Sequence, residues 1–262
     1  MRVDVFLVER GEVRSRTLAK KLISQGCVTI DGQVITKVAE EISEGEHQVV
    51  ITPIPEMKYV SRGGLKLEGA LEAFGVDPSG KIWADVGAST GGFTHCLLIR
   101  GATRVYAVDA GHNQLDEGLR THPQVRSMEG VNARTLTPYQ LFEVEKALCD
   151  NPKLANGDPF DGHVDGVVMD VSFVSQTLIH PAIAGLLTTG GEFVTLIKPQ
   201  FEVGRGGVGK GGIVKSQKYC DMAVRRVCAS AESLGFRLVR VIQSPIPGGD
   251  GNTEYLGYFV KG

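Results

Sequence analysis

Ile82-Trp83-Ala84-Asp85-Val86-Gly87-Ala88-Ser89-Thr90-Gly91-Gly92-Phe93-Thr94 decides the fold. It opens as an apolar strand, passes an acid and a glycine, and enters a glycine-rich turn ahead of a helical pattern that runs to Arg100. Strand, turn and helix start together make a nucleotide-type loop, because glycines let the backbone approach a ligand and the free N–H groups of the helix start face it. The next apolar run, Val105-Tyr106-Ala107-Val108, ends in Asp109, about twenty residues past the turn, where a carboxylate accepts the two hydroxyls of an adenosine ribose. A dinucleotide loop has GxGxxG; here Ser89 takes the place of the second glycine, which weakens a pyrophosphate reading.

Downstream, residues 164–169 and 191–197 are two further buried-type strands, the first closing on Asp170-Val171-Ser172-Phe173 and the second on Lys198-Pro199-Gln200-Phe201-Glu202. Apolar runs alternating with helical patterns predict a mostly parallel α/β sheet of about seven strands. Charged residues at the carboxyl ends of its strands face the ligand crevice. Asp170 has a plain alternative as the N-cap of a helix beginning at Phe173. A lysine that closes a strongly apolar strand is harder to explain by packing. The last strand, residues 255–260, follows a Pro-Gly-rich turn and is expected to insert antiparallel.

Upstream, residues 1–58 form a different kind of segment, closed by the stiff Pro53-Ile54-Pro55. Residues 4–9 read as a short helix stopped by Gly11, and Ser15 as the N-cap of a second helix ended by Gly26, with Leu18, Ala19, Leu22 and Ile23 as its buried stripe. Arg16, Lys20 and Lys21, with Arg14 just ahead, charge the other face. Residues 28–35 are two β runs around Asp31-Gly32, a hairpin signal. Glu40, Glu41, Glu44 and Glu46 gather on a separate loop before a strand-like stretch at 47–52. Residues 59–80 are expected to be a linker and leading helix, with Lys58 and Arg62 as candidate RNA contacts, ahead of the catalytic domain at 81–262.

The α-α-β-hairpin layout with its basic helix resembles the S4 RNA-binding domain, in which such a helix meets the phosphates of folded RNA. Phosphate contacts of that kind hold and orient RNA without reading its sequence. The run Asp85 to Phe93 resembles the first motif of FtsJ-type methyltransferases. That resemblance implies S-adenosylmethionine as cofactor, with Asp85, Gly87, Ser89, Gly91, Gly92 and Phe93 around its methionine part. A sulfonium has no phosphate to cradle, and an acid such as Asp85 suits a cation. Asp109 takes the ribose, and Asn132, in Glu129-Gly130-Val131-Asn132-Ala133-Arg134, sits where the family contacts adenine.

Lys66 in Arg62-Gly63-Gly64-Leu65-Lys66-Leu67, Asp170, Lys198 and Glu254 in Gly251-Asn252-Thr253-Glu254-Tyr255 match the Lys–Asp–Lys–Glu tetrad of ribose 2′-O-methyltransferases. End to end, the chain resembles the TlyA (hemolysin A) family of rRNA 2′-O-methyltransferases. The expected fold class is therefore α/β: a Rossmann-like S-adenosylmethionine-dependent methyltransferase sheet with a small N-terminal S4-like α+β domain. The resemblance implies ribosomal RNA or ribosomal subunits as partner, with a cytidine ribose as target.

A ribose hydroxyl is a poor nucleophile and must lose its proton as it attacks. Lys198 is left with two possible roles, a base assisted by Lys66 as neighbouring cation, or an ammonium that stabilises the oxyanion, with Asp170 and Glu254 orienting the amines. Residues 204–212 superficially resemble a phosphate loop, but Gly211 follows Lys210 where GxxxxGK[ST] needs Ser or Thr. They are expected to form a mobile basic loop, carrying Arg205 and Lys210, that folds over RNA. Residues 150–162 match no motif, and residues 178–187 read as a covering helix and core.

Composition limits the rivals. Over 262 residues the chain is 42% hydrophobic with a net charge of −2, ordinary for a globular protein. Five cysteines without CxxC and six histidines without HExxH support neither disulfides nor a metal. An N-terminus without a long apolar stretch, and no apolar run near the ~20 residues of a membrane helix, point to an intracellular, cytoplasmic protein. A nicotinamide dehydrogenase, a membrane-lytic hemolysin and a non-catalytic RNA scaffold are the competing readings.

Overall fold

The computed structural model describes residues 1–43, 45–154 and 157–262, less the side chain of Arg205. Glu44 of the acidic loop, and Ala155 and Asn156 of the 150–162 segment, lie outside the described residues. Two compact units are present, Met1–Lys58 and Tyr59–Gly262.

In the first unit, helices α1 (Val3–Glu9) and α2 (Arg16–Ser24) cover a three-stranded antiparallel sheet of β1 (Val28–Ile30), β2 (Gln33–Ile35) and β3 (Val49–Ile51), in the order β2-β1-β3. Ser15 caps α2, its Oγ accepting the Leu18 N–H at 3.2 Å. Asp31 and Gly32 both have positive φ, 49° and 82°, the requirement of the two-residue hairpin turn that sets the β1–β2 register. The helical stripe Leu18, Ala19, Leu22 and Ile23 packs with Leu7, Val28 and Ile30 as the core. Leu22 and Ile23 are fully buried, so truncating either to Ala costs about 2–5 kcal/mol.

The second unit opens with α3 (Gly63–Phe74), ended by Gly75 in the left-handed conformation. It continues through β4 (Ile82–Val86), α4 (Gly92–Ile99), β5 (Arg104–Asp109), α5 (Glu117–Arg120), β6 (Val125–Glu129), α6 (Pro138–Lys146), β7 (Val164–Met169) and α7 (His180–Leu186). β8 (Leu187–Ile197), α8 (Pro199–Glu202), α9 (Gln217–Glu232), β9 (Phe236–Gln243) and β10 (Tyr255–Lys261) complete it. The seven strands lie in the order β6-β5-β4-β7-β8-β10-β9. β4 to β8 run parallel, and β10 enters antiparallel between β8 and β9 with Tyr255 opposite Ile197. Every residue of β4 is buried, as a strand covered on both faces requires.

This topology decides where the chemistry sits. Parallel strands end at one edge of the sheet, so Gly87, Asp109, Asp170 and Lys198 leave β4, β5, β7 and β8 on the same side. Because β10 is reversed, its beginning meets the end of β8, and Glu254 arrives beside Lys198 from the far end of the sequence.

One expectation changes, and three segments gain detail. Residues 59–80 carry the leading helix as α3, and Tyr59, Leu67 and Leu71 are at most 1% exposed and belong to the core of the second unit. No helix starts at Phe173, so Asp170 is not an N-cap; residues 171–175 form an irregular stretch with Phe173 at φ 64°. The 150–162 segment contributes buried Phe160, whose ring stacks on Tyr106 at 6.0 Å. Residues 204–212 carry local structure. They form two short turns, Arg205–Gly207 and Lys210–Gly212, joined to Val214 by a bridge from Val208.

Candidate active site

The turn after β4 and the end of β7 press together. Gly87 has φ 85°, and a Cβ on it would stand 2.5 Å from the Asp170 carbonyl oxygen, so only glycine serves there. Beside this contact a groove of about 700 Å³ runs along the strand ends, lined by Gly87, Ser89, Asp109 and Asn132 and by apolar Val131 and Ile179. Asp109 accepts the Ser89 N–H at 2.8 Å on one oxygen and the Gly111 N–H at 2.7 Å on the other. Each oxygen retains a further lone pair for a ligand hydroxyl. Asn132 caps the turn Ala133–Thr135, its carboxamide oxygen accepting the Arg134 N–H at 3.1 Å.

Asp85 behaves differently from expectation. It does not border the groove: its fully buried carboxylate accepts the Thr94 N–H at 2.8 Å and the Thr94 hydroxyl at 2.6 Å, fixing the first turn of α4. Burial pushes its pKa up to about 7 against the lowering effect of the Thr94 bonds, and the charges of Asp170 and Asp109 add to the rise. Gly91 borders neither the groove nor the cavity next to it; its positive φ of 91° starts α4 against Leu115 and Leu119. Gly92 and Phe93 line the adjoining cavity, of about 280 Å³, together with Arg62, Lys66, Asp170 and Lys198.

The four tetrad positions form two pairs. Lys66 on α3 donates to Glu254 at 2.6 Å, with side-chain exposures of 11% and 3%. Lys198 lies 2.5 Å from Asp170 as an ion pair, while its aligned hydrogen bond goes to Ser172 Oγ at 2.8 Å. Lys198 and Glu254 also border a third cavity, of about 360 Å³, walled by Phe173, Phe201, Gln200 and Gly212. Phe173 is 92% exposed and its ring lies 5.2 Å from that of Phe201.

Sequence reasoning gave Ser172, Phe173 and Phe201 no role, although two of them stand beside Asp170. Their contribution comes from the backbone path after β7, which no residue pattern announces. Asn252 was missed as well: its carboxamide accepts the Val214 N–H and donates to the Gly212 carbonyl, both at 3.0 Å, pinning the glycine-rich turns next to the third cavity.

In the first unit, the basic face is partly occupied. Arg16 makes two bonds, 2.9 and 3.2 Å, to Asp4, whose side chain is fully buried. Burial opposes the Asp4 charge, but Arg16 and Arg2 outweigh it and hold the carboxyl below its usual range. Arg14 donates to the Glu56 carbonyl and Lys21 pairs with the Glu56 carboxylate at 2.5 Å. Lys20 is exposed and forms no hydrogen bond or ion pair among the described residues. Lys210 is exposed on its turn, Lys58 closes the first unit, and the Arg205 side chain lies outside the described residues.

The FtsJ-like methyltransferase family matches residues 59–261 and the S4 domain residues 1–47. The 16S/23S rRNA (cytidine-2′-O)-methyltransferase TlyA of Mycobacterium tuberculosis is 43% identical over 255 residues, 97% of this chain and 88% of that protein. Hemolysin A of Brachyspira hyodysenteriae is 39% identical over 261 residues, 99% of this chain and all of that protein. A solved structure of a candidate hemolysin from Streptococcus thermophilus covers all of this chain and 88% of its own, at 38% identity and a TM-score of 0.72. The chain belongs to the FtsJ-like methyltransferases, in the S4-domain-bearing family of TlyA and hemolysin A.

Proposed function

We propose that the second unit transfers a methyl group from S-adenosylmethionine to the 2′-hydroxyl of a cytidine ribose in ribosomal RNA, and that the first unit holds that RNA. The observation that carries this reading is the cavity bordered by Lys66, Asp170 and Lys198 directly beside the groove behind Gly87. The groove fits such a cofactor: glycine is obligatory at 87, Asp109 has lone pairs for ribose hydroxyls, and Val131 and Ile179 offer an apolar seat for a base. Asn132, Ser89 and Gly87 would hold the remaining polar groups. When bound, S-adenosylmethionine supplies a methyl group on a sulfonium centre.

The chain's own residues do the rest. Lys198, paired with Asp170 and hydrogen-bonded to Ser172, stands at the reacting hydroxyl, where as an ammonium it stabilises the developing oxyanion while the hydroxyl proton leaves to solvent water. Lys66 carries a second positive charge to the same cavity, and Glu254 fixes its direction. Holding the hydroxyl in line with the methyl group contributes much of the rate. Outside the cavity, Arg62 on its rim, the turns bearing Arg205 and Lys210, and Lys20, Lys21 and Arg14 on the first unit supply cations for RNA phosphates.

The curated relatives named above support cytidine and ribosomal RNA as substrate, and with them a place in the cytoplasm, where ribosomes are assembled. A nicotinamide reading leaves the two lysine–carboxylate pairs without a task. No helix among the described residues is long and apolar enough to cross a membrane, and the described residues contain no cluster of His, Cys, Asp and Glu that could hold a metal. The test is incubation of purified 30S and 50S subunits and free rRNA with methyl-labelled cofactor, followed by mapping of the modified nucleotide. Label at a cytidine 2′-oxygen supports the reading; label on a base, or none on any RNA, overturns it.

A further inference from the structure

Glu202 is a buried carboxylate that the mechanism above does not use. It is 3% exposed, and among the described residues it makes no ion pair. An unpaired carboxylate in that position is costly to bury unless hydrogen bonds replace its lost water. Two do: Glu202 accepts the Ser175 hydroxyl at 2.6 Å and the Gln176 N–H at 2.8 Å.

These bonds join the segments that bring the catalytic groups together. Glu202 ends α8, the turn that begins at Pro199 immediately after Lys198. Ser175 and Gln176 end the stretch that begins at Asp170 and carries Ser172. Between them stands Phe173, at φ 64°, a left-handed conformation that costs a non-glycine residue of order 1–3 kcal/mol and persists only where neighbours impose it. The near end of the stretch is fixed by the Asp170 N–H donating to the Val86 carbonyl at 3.0 Å. The far end is fixed by Glu202 and by the buried Gln176 side chain, which accepts the Thr195 hydroxyl at 2.7 Å and donates to the Leu196 carbonyl at 3.4 Å. Gln176 ties the stretch to β8; Glu202 ties it to the turn beyond Lys198.

We propose that Glu202 is a positioning residue, a clasp that sets the span of the 170–176 stretch and so holds Asp170 and Ser172 against Lys198. It touches neither substrate nor cofactor and acts through the Ser172–Lys198 and Asp170–Lys198 contacts. A clasp needs two acceptors at fixed reach, which makes the proposal specific about replacements. Glu202→Gln keeps an acceptor for the Gln176 N–H and turns an amide toward Ser175, whose hydroxyl reverses to accept. Glu202→Asp is one methylene too short to reach both, and Glu202→Ala removes them.

The inference rests on the methyltransferase reading, and the test keeps the two separable. Single-turnover rate constants and steady-state kcat and KM for methylation of the RNA accepted by the wild-type protein are measured for wild type, Glu202→Gln, Glu202→Asp and Glu202→Ala, well below their unfolding midpoints. S-adenosylhomocysteine affinity is measured by calorimetry on the same samples. The expected result is a loss of about 10²-fold in kcat for Glu202→Ala and Glu202→Asp, as for a displacement near 1 Å, with Glu202→Gln close to wild type and a much smaller change in ligand affinity. Folded Glu202→Ala with wild-type kcat, Glu202→Gln as impaired as Glu202→Ala, or a loss confined to KM overturns the clasp. A wild-type protein that methylates no RNA overturns the parent reading instead.

Discussion

Lys66 and Glu254, 188 positions apart in the chain, meet at 2.6 Å with both side chains almost out of solvent. Removing one partner strands the other charge, so Glu254→Ala should lower stability by about 3–5 kcal/mol. Lys66→Met combined with Glu254→Leu should restore much of that loss while leaving methyl transfer abolished. Urea denaturation alongside an activity assay checks both statements; a double variant that is no more stable than Glu254→Ala contradicts them.

Gly87→Ala places a methyl group against the Asp170 carbonyl at a φ that L-residues avoid. The end of β7 or the turn after β4 must move, which distorts the groove between them. S-adenosylhomocysteine affinity should fall at least about tenfold, equivalent to about 1.4 kcal/mol, by isothermal calorimetry. Affinity within twofold of wild type would show that this turn does not shape the ligand seat.

Asp85 makes stability pH-dependent in a direction opposite to that of most carboxylates. In the folded protein it holds its proton up to about pH 7, whereas the unfolded chain releases it near the ordinary aspartate value of 3.8. Between those values the native state binds more protons, so this group's contribution to stability falls as pH rises from about 4 to about 7. Asp85→Asn, which keeps an acceptor for Thr94, should flatten that fall. Urea midpoints of wild type and variant at pH 5 and pH 7.5 supply the comparison, and identical slopes in the two proteins contradict it.

The basic face of the first unit divides into two kinds of residue. Lys20→Ala should weaken RNA binding evenly across sequences and lower the slope of log Kd against log salt by about 1, the signature of one lost phosphate contact. Arg16→Ala should instead destabilise the protein, since it takes two hydrogen bonds from buried Asp4. Filter binding over a salt series and thermal unfolding separate the two effects. An Arg16 variant of full stability with the Lys20 phenotype would reverse the assignment.

What the sequence made legible follows a physical line. Gly87, Asp109, Asp170 and Lys198 could be placed in one crevice because strand ends of a parallel sheet share an edge, and apolar runs of strand length mark those ends. Glu254 could be included only through the tetrad resemblance: its position depends on β10 running backwards beside β8, which fixes it opposite the end of that strand. Which lysine pairs with which acid depends on α3, whose register against the sheet no local pattern records. Asp85 looked like a ligand-facing acid, but Thr94, nine residues on, lies in the first turn of α4, whose free N–H groups compete for it successfully. Arg16 looked free because Asp4, twelve residues earlier, carries no mark of being buried. Phe173 adopts a backbone conformation that its own type disfavours, so only its surroundings could reveal it.

In the proposed mechanism Lys198 acts on the reacting hydroxyl and not on cofactor binding. Single-turnover methylation by Lys198→Ala, with S-adenosylmethionine affinity measured on the same sample, separates the two roles. The expected rate is about 10²–10³-fold below wild type with cofactor affinity within about twofold. A variant that methylates at the wild-type rate, or one whose lost rate is matched by lost cofactor affinity, would contradict it.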